Sequence, residues 1–273
     1  MRQMDFPKKT PEYEDLKEYT EIIGVSYGPI GSRRFGQSLG INLLGSAEKV
    51  CSFDCPYCEL GRTTVKMSHV KKGVIYPTLV EIDTAVRKHI LQLTKDKVLY
   101  DHIVISGNGE PTLYPEFQEA ITAIKKARDE LTPDTRVAIL SNGANLDEAK
   151  ILKAINSVDD KIIKIDAGND EMLKKIANSS VRVTVAKLIQ GIRKVKGPII
   201  QSMFVQGVID NTTPAEIDDW IEVVGIIKPV AVQLYTLDRV PPLQGLKQVP
   251  SQRLKEIVQL LLKRTGIKGT VFS

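Results

Sequence analysis

Three cysteines stand within eight residues, and the 273-residue chain contains no others. Cys51, Cys55 and Cys58 lie in the segment CSFDCPYC, which has CxxxCxxC spacing. An odd number of closely spaced cysteines is a poor disulfide framework, and loops closed over two or three residues gain little stability from cross-linking. The pattern therefore predicts that the three thiolates bind a metal ion or an iron–sulfur cluster.

The absence of a fourth cysteine bears on the kind of metal site. Thiolates are the preferred ligands of iron–sulfur clusters, and three of them can hold three irons of a 4Fe–4S cluster. The fourth iron is then open to an exogenous ligand, as a catalytic cluster requires, whereas an electron-carrying cluster normally has four cysteines. The alternative is a structural zinc site with His69 or Asp54 as the fourth ligand. Such a site usually has a second CxxC or a second ligand pair, and the sequence has neither.

Further polar residues follow predicted strands. Residues 106–111 read SGNGEP, where two glycines allow close backbone approach to a ligand, and backbone carbonyls and a carboxylate could accept hydrogen bonds from an ammonium group. Lys164 and Asp166 share one face of a later strand, because side chains alternate with a period of two. A structural turn or ion pair is the competing interpretation in each case. The weaker candidates are Gln201, Gln206, Gln233 and Tyr235.

Strand-like and helix-like segments alternate along the chain and must position these residues. Short continuous apolar runs predict six buried strands, and apolar spacing of 3.6 residues predicts the helices. The predicted strands are 38–44, 102–106, 136–140, 161–165, 198–205 and 230–235. The predicted helices are 11–20, 79–94, 115–131, 146–155, one or two within 169–196, 214–227 and 251–264. Thr213 before Pro214 is a predicted helix cap.

This alternation predicts an α/β fold with a parallel sheet. The length is short for an eight-fold barrel, so we expect a partial (β/α)6 TIM-like barrel with a short N-terminal extension. A doubly wound open sheet remains the alternative. In both architectures the chemistry gathers at the C-terminal ends of the strands.

A CxxxCxxC loop after the first strand of a β/α barrel resembles the radical S-adenosylmethionine (SAM) superfamily. The resemblance implies that Cys51, Cys55 and Cys58 hold a 4Fe–4S cluster whose open iron chelates SAM. An electron, supplied by a donor such as flavodoxin or ferredoxin, then cleaves SAM to methionine and a 5′-deoxyadenosyl radical. That radical abstracts a hydrogen atom from the substrate.

The same resemblance assigns roles to the polar residues. Tyr57, just before the third cysteine, matches a family aromatic that lies near the adenine. Asn142, in a segment similar to the family's S/TNG, is expected to contact substrate or SAM, and Asp166 the SAM ribose or carboxylate. The family's GGEP-type segment receives the SAM amino group and is matched here by Gly107, Asn108, Gly109 and Glu110.

Three further segments resemble small single-cluster proteins related to the wyosine tRNA-synthesis radical SAM enzymes, and the resemblance covers roughly residues 24–245. They are GPIGSRRFGQSLGINLL at 28–44, LGRT at 60–63 and LYTLDR at 234–239. Wyosine synthases carry additional N-terminal cysteines for a second cluster, and this chain has none. The resemblance therefore does not imply a wyosine reaction, although a related action on RNA stays open.

The formal net charge of +5 permits an anionic partner without requiring one. Basic residues flanking the cysteine loop could form an anion-binding rim for a nucleic acid or a phosphorylated substrate, with solvated surface as the alternative: Arg33, Arg34, Arg62, Lys71 and Lys72.

A polar N-terminus and the lack of a long apolar run predict a cytoplasmic protein without membrane contact. We expect an extension at 1–23 and a catalytic core at 24–273. The alternative functions are an activating or peptide-modifying enzyme and a non-enzymatic, zinc-dependent nucleic-acid module.

Overall fold

A computed structural model of the chain describes residues 24–45, 48–66 and 74–272. The strands are β1 (Ser26–Ser32), β2 (Gly36–Ile41), β3 (Val50–Cys51), β4 (Val65–Lys66), β5 (His102–Ile105), β6 (Arg136–Ser141), β7 (Asp160–Lys164), β8 (Ile199–Met203), β9 (Val205–Gly207), β10 (Ala231–Tyr235), β11 (Leu246–Gln248) and β12 (Gly269–Phe272). The helices are α1 (Leu79–Lys95), α2 (Phe117–Leu131), α3 (Ala149–Ile155), α4 (Asp170–Ala177), α5 (Val185–Ile192), α6 (Pro214–Ile227) and α7 (Ser251–Thr265). The predicted helix 11–20 and extension 1–23 lie outside the described residues.

One eight-stranded sheet, in the order β1-β2-β5-β6-β7-β8-β10-β12, organises the fold. The six predicted strands are its β2, β5, β6, β7, β8 and β10, and each pairs with the next in parallel. The sheet ends in β1 on one side and in β12 on the other. It is curled and forms a half-barrel. The predicted α/β fold with a partial TIM-like barrel is confirmed.

Both outermost strands were missing from the prediction. Strand β1 runs antiparallel to β2, and its sequence SYGPIGS combines glycines and a proline with half-exposed side chains. Strand β12 is four residues long, and all of its residues remain partly or fully exposed. Edge strands of this kind carry no continuous apolar run, because only one side of the strand pairs and the faces are not fully buried.

The two faces of the sheet differ in what covers them. Outward-facing residues such as Ile103, Ile139 and Ile163 are fully buried in one large cluster with the helices. Helix α1, for example, buries residues at helical spacing on one stripe, as the sequence predicted. The inner face holds a separate small cluster formed by Phe35, Val104, Ala138 and Ile162.

Side-chain caps decide where several helices begin. Thr213 caps α6 as predicted, since its side chain accepts a hydrogen bond from the Glu216 amide. The segment predicted as one or two helices contains two. Helix α4 is followed by its C-cap residue Asn178, which has the left-handed conformation, and Thr184 caps the start of α5. Within the described part of the chain, none of the helices has the length and apolarity needed to cross a membrane.

Candidate active site

The cysteine loop and the SGNGEP segment are joined by backbone hydrogen bonds. The Val50 amide donates to the Asn108 carbonyl at 2.8 Å, and the Glu110 amide donates to the Val50 carbonyl at 3.0 Å. Val50 thereby forms an isolated parallel bridge with Gly109. The first cysteine is thus fixed directly beyond the C-terminal end of β5, where a parallel sheet places its chemistry.

Gly109 is required at this junction. Its φ is +139°, and a Cβ atom there would lie 1.7 Å from the Val50 carbonyl oxygen. Because that oxygen belongs to the backbone, the cysteine loop itself would have to move to accommodate any side chain. The glycine in this segment therefore serves close approach between two loops of the protein.

The three cysteines are free thiols; Cys51 is buried, and Cys55 and Cys58 are partly exposed. Burial raises the pKa of Cys51, and the charges of Glu110 and Cys55 raise it further. Burial likewise raises the pKa of Cys55 to about 12, with the charge of Cys58 adding to the effect. The pKa of each of these two thiols therefore depends on the charge of its neighbours in the loop.

Lys49 brings a buried positive charge to the same place. Its side chain is 6% exposed, and its Nζ donates to the Gly61 carbonyl at 2.9 Å. Burial opposes the ammonium form, but the charges of Cys58, Cys51 and Cys55 outweigh it, so the pKa of Lys49 is raised. Sequence reasoning did not select this residue, whose only signal was its position two residues before Cys51.

The donor set fits an iron–sulfur cluster, because three thiols with a buried cation beside them suit a sulfur-ligated, anionic group. Within residues 24–45, 48–66 and 74–272, no three His, Cys, Asp or Glu side chains stand close enough together to hold a single metal ion. Asp54, a considered zinc ligand, has both oxygens engaged: Oδ1 accepts from the Thr63 amide at 2.8 Å and Oδ2 from Arg62 at 2.6 Å. His69 lies outside the described residues.

Glu110 connects the SGNGEP segment to the end of β6. Its Oε1 accepts from the hydroxyls of Thr112 and Ser141, each at 2.8 Å, and its Oε2 accepts from the Asn142 amide at 2.7 Å. Burial raises the pKa of this carboxyl despite those hydrogen bonds. Oε1 is saturated by the protein and only Oε2 retains acceptor capacity.

Asn142 links β6 to the cysteine loop. Its Nδ2 donates to the Ser52 hydroxyl at 3.0 Å and lies 3.8 Å from the Cys51 sulfur. Its Oδ1 accepts from the Ala144 amide at 3.0 Å, which fixes the orientation of the amide. Ser52, which sequence reasoning did not select, is fully buried between the two elements.

A polar network extends from the cysteine loop into the barrel. The Tyr57 hydroxyl donates to Asp166 Oδ2, and the Met203 amide donates to Oδ1 at 2.7 Å. Lys164 Nζ lies 3.4 Å from Asp166 and donates to the Tyr235 hydroxyl at 2.5 Å. Burial raises the pKa of Tyr57, and the charge of Asp166 reinforces this. Asp166 therefore orients Tyr57 from the end of the fourth of the six parallel strands.

The remaining candidates separate into two groups. Gln201 Nε2 donates to Gln233 Oε1 at 3.1 Å across neighbouring strands of the sheet. Gln206 instead lies on β9 and donates to the Thr212 hydroxyl at 2.9 Å. The structure therefore groups Gln201 and Gln233 with each other, and Gln206 with Thr212.

The basic residues around the cysteine loop do not form a row of free charges. Arg62 pairs with Asp54 at 2.6 Å, and Arg33 pairs with Asp238 at 3.3 Å. Arg34 turns toward Tyr235, with 4.8 Å between the guanidinium carbon and the ring centroid. Lys71 and Lys72 lie outside the described residues.

Comparison with known proteins assigns the chain to a protein family. Residues 49–224 match the profile of the Radical SAM superfamily, a span that includes the cysteine loop, the SGNGEP segment, Asn142 and Asp166. The chain belongs to the radical SAM superfamily, as the sequence predicted, and it is therefore an enzyme of this broad class.

Relatives agree with this assignment. The chain is 30% identical over 224 residues to a UPF0026 protein of Synechocystis, covering 80% of this chain and 77% of that protein. A structure of TYW1 with a lysine-pyruvate adduct bound has a TM-score of 0.66 at 16% identity, covering 94% of this chain and 90% of that one. A radical SAM methyltransferase from Sphaerobacter thermophilus has a TM-score of 0.62 at 16% identity, covering 86% of this chain but 65% of its own length. At these identities the two structures show a shared fold alone.

Proposed function

We propose that this protein is a one-cluster radical SAM enzyme that cleaves SAM reductively and abstracts a hydrogen atom from its substrate. Cys51, Cys55 and Cys58 would hold a 4Fe–4S cluster. The observation that carries the proposal is the arrangement of three free thiols, one buried and two partly exposed, in a loop bonded at Val50 to the SGNGEP segment. When bound, cluster and SAM supply the electron and the radical.

The protein's own residues perform the positioning. Glu110 and Asn142 hold the ends of two adjacent strands against the cysteine loop, and Asp166 orients Tyr57. We assign Gly107, Asn108, Gly109 and Glu110 to the SAM amino group, Tyr57 to the adenine and Asp166 to the ribose or carboxylate. We assign Asn142, whose side-chain amide also donates to Ser52, to contact with the substrate or SAM. Such fixed side chains exclude water and reduce the entropy cost of aligning reactants.

Anaerobic reconstitution tests this function. We expect the purified chain to take up about four irons and four sulfides and to form 5′-deoxyadenosine from SAM and dithionite, measured by liquid chromatography and mass spectrometry. Cys58→Ser should retain the fold by circular dichroism and lose iron and product together, whereas Ser251→Ala should lose neither. A colourless, zinc-loaded protein that forms no 5′-deoxyadenosine would contradict the proposal.

We propose RNA as the substrate class. We also propose a flavodoxin or a ferredoxin as the electron donor. The support is the resemblance of residues 28–44, 60–63 and 234–239 to the wyosine tRNA-synthesis enzymes, together with the basic charge of the chain. Filter retention of transfer RNA should be strong at low salt and fall as salt rises, because phosphate contacts release counterions. No retention at low salt would remove RNA from consideration and leave the SAM chemistry untouched.

A further inference from the structure

The turn between β1 and β2 crosses the interior of the half-barrel, and this has a consequence for the proposed function. Residues 33–35 leave β1 at one edge of the sheet, while Tyr235 ends β10, the fifth strand after β2 in the sheet order. The Arg34 guanidinium nonetheless reaches the Tyr235 ring at 4.8 Å, and Phe35 joins the inner-face cluster with Ile162. The turn therefore spans the concave side of the sheet.

Arg34 has an unsatisfied hydrogen-bond donor there. Its Nε is buried and has no hydrogen-bond partner, and no carboxylate among the described residues forms an ion pair with it. A buried donor without an acceptor costs free energy. The neighbouring Arg33 differs, because it has an acid partner in Asp238 at 3.3 Å.

Ser38 provides a second, independent unsatisfied group. Its side chain is 4% exposed, and its Oγ has no hydrogen-bond partner. Ser38 is in register with His102 in the parallel pair, so both side chains face the same side of the sheet. The His102 ring contacts Phe35, the residue after Arg34, at 5.5 Å between centroids.

The two cations that approach Tyr235 differ in their partners. Lys164 Nζ lies 4.9 Å from the centroid of the Tyr235 ring, which Arg34 also approaches. Lys164 is matched by Asp166 at 3.4 Å, and both oxygens of that carboxylate already accept hydrogen bonds. Lys164 thus has a carboxylate partner beside this ring, whereas Arg34 contacts the ring alone.

We propose that the interior of the half-barrel binds an oxyanion group of the substrate, a carboxylate or a phosphate, with Arg34 as its charge partner and Ser38 as a hydrogen-bond donor. A planar guanidinium presents donors that match both groups in a bidentate manner. Tyr235 holds the guanidinium through cation–π contact, so Arg34 is oriented before the anion arrives. The inference rests on the proposed function, since it names the substrate class of that site.

The probes for this subsite are inorganic phosphate and malonate, titrated calorimetrically into the reconstituted, SAM-bound chain. Saturable binding of either is expected, and the tighter of the two assigns the class. Arg34→Gln should weaken that binding by about ten-fold or more, as loss of a charge-assisted pair predicts. Arg33→Gln, in the same turn, should bind as the unmodified chain does.

The Ser38→Ala variant separates loss of anion binding from loss of the fold. Removing a buried hydroxyl without a partner should leave the free protein equally stable or more stable in urea, while anion binding weakens. No saturation by either probe, or equal binding by Arg34→Gln, overturns the subsite. Formation of 5′-deoxyadenosine by the unmodified chain is measured separately, so that failure of the subsite and failure of the SAM chemistry are told apart.

Discussion

At the scale of single residues, Lys49 places a buried positive charge beside the proposed cluster ligands. A buried ammonium is unfavourable unless an anion faces it, and the groups that outweigh burial here are the three cysteine sulfurs. Reduction adds a negative charge to a cluster. A fixed positive charge beside the ligands therefore favours the reduced state.

We expect Lys49→Met to lower the reduction potential of the reconstituted cluster, because methionine fills similar volume without the charge. The measurement is a redox titration followed by electron paramagnetic resonance. Lys66→Met is the matched control, since that lysine is 47% exposed and pairs with Asp54. An unchanged potential in a fully iron-loaded Lys49→Met protein would contradict this role.

At the scale of elements, the site depends on contacts between strand ends that are far apart in sequence. Residues after β5 hold the cysteine loop through Val50, and residues after β6 reach the same loop through Asn142 and Ser52. These loops pack without room for additional atoms. An added Cβ atom at Gly109 would lie 1.7 Å from the Val50 carbonyl oxygen.

Gly109→Ala tests this packing. The new methyl group would collide with a backbone carbonyl, so we expect displacement of the cysteine loop, iron content below about half of normal, and a loss of about 2 kcal/mol in the free energy of unfolding. Gly266→Ala is the control: Gly266 also has a positive φ, +73°, but no atom lies within 4 Å of the position its Cβ would take. It should retain full iron. Equal iron content in both variants would show that the contact at 109 is dispensable.

At the scale of the whole molecule, an open half-barrel has an inner face that needs cover. The β1–β2 turn covers part of the inner face, because Phe35 in this turn is 7% exposed. Phe35 packs on residues of three strands, Val104, Ala138 and Ile162. The same turn carries Arg34 into the interior. Stability of the barrel and shape of the proposed substrate subsite are thus coupled.

Phe35→Ala should destabilise the protein by about 3 kcal/mol, because it leaves a cavity beneath the inner face. Urea unfolding followed by circular dichroism measures the effect. Leu99→Ala, at a residue that is 86% exposed, should change stability by less than about 0.5 kcal/mol. A Phe35→Ala protein as stable as that control would show that the turn does not support the barrel.

The amino-acid sequence alone determined the features that depend on neighbouring residues. Cysteine spacing, apolar runs and helical periodicity are local patterns. The apolar runs and the periodicity predicted the six parallel strands and most of the helices, and the cysteine spacing gives the proposed cluster ligands. The half-exposed edge strands β1 and β12 carried no such pattern and were missed.

Tertiary structure decided which side chains meet. Glu110 bonds to Ser141 and Asn142, Asp166 holds Tyr57, and Arg34 reaches Tyr235 across the sheet. Those partners are 31 to 201 residues apart, so no local period encodes them. Strand register and the path of each loop bring them together, and burial then determines which of their charges remain unmatched.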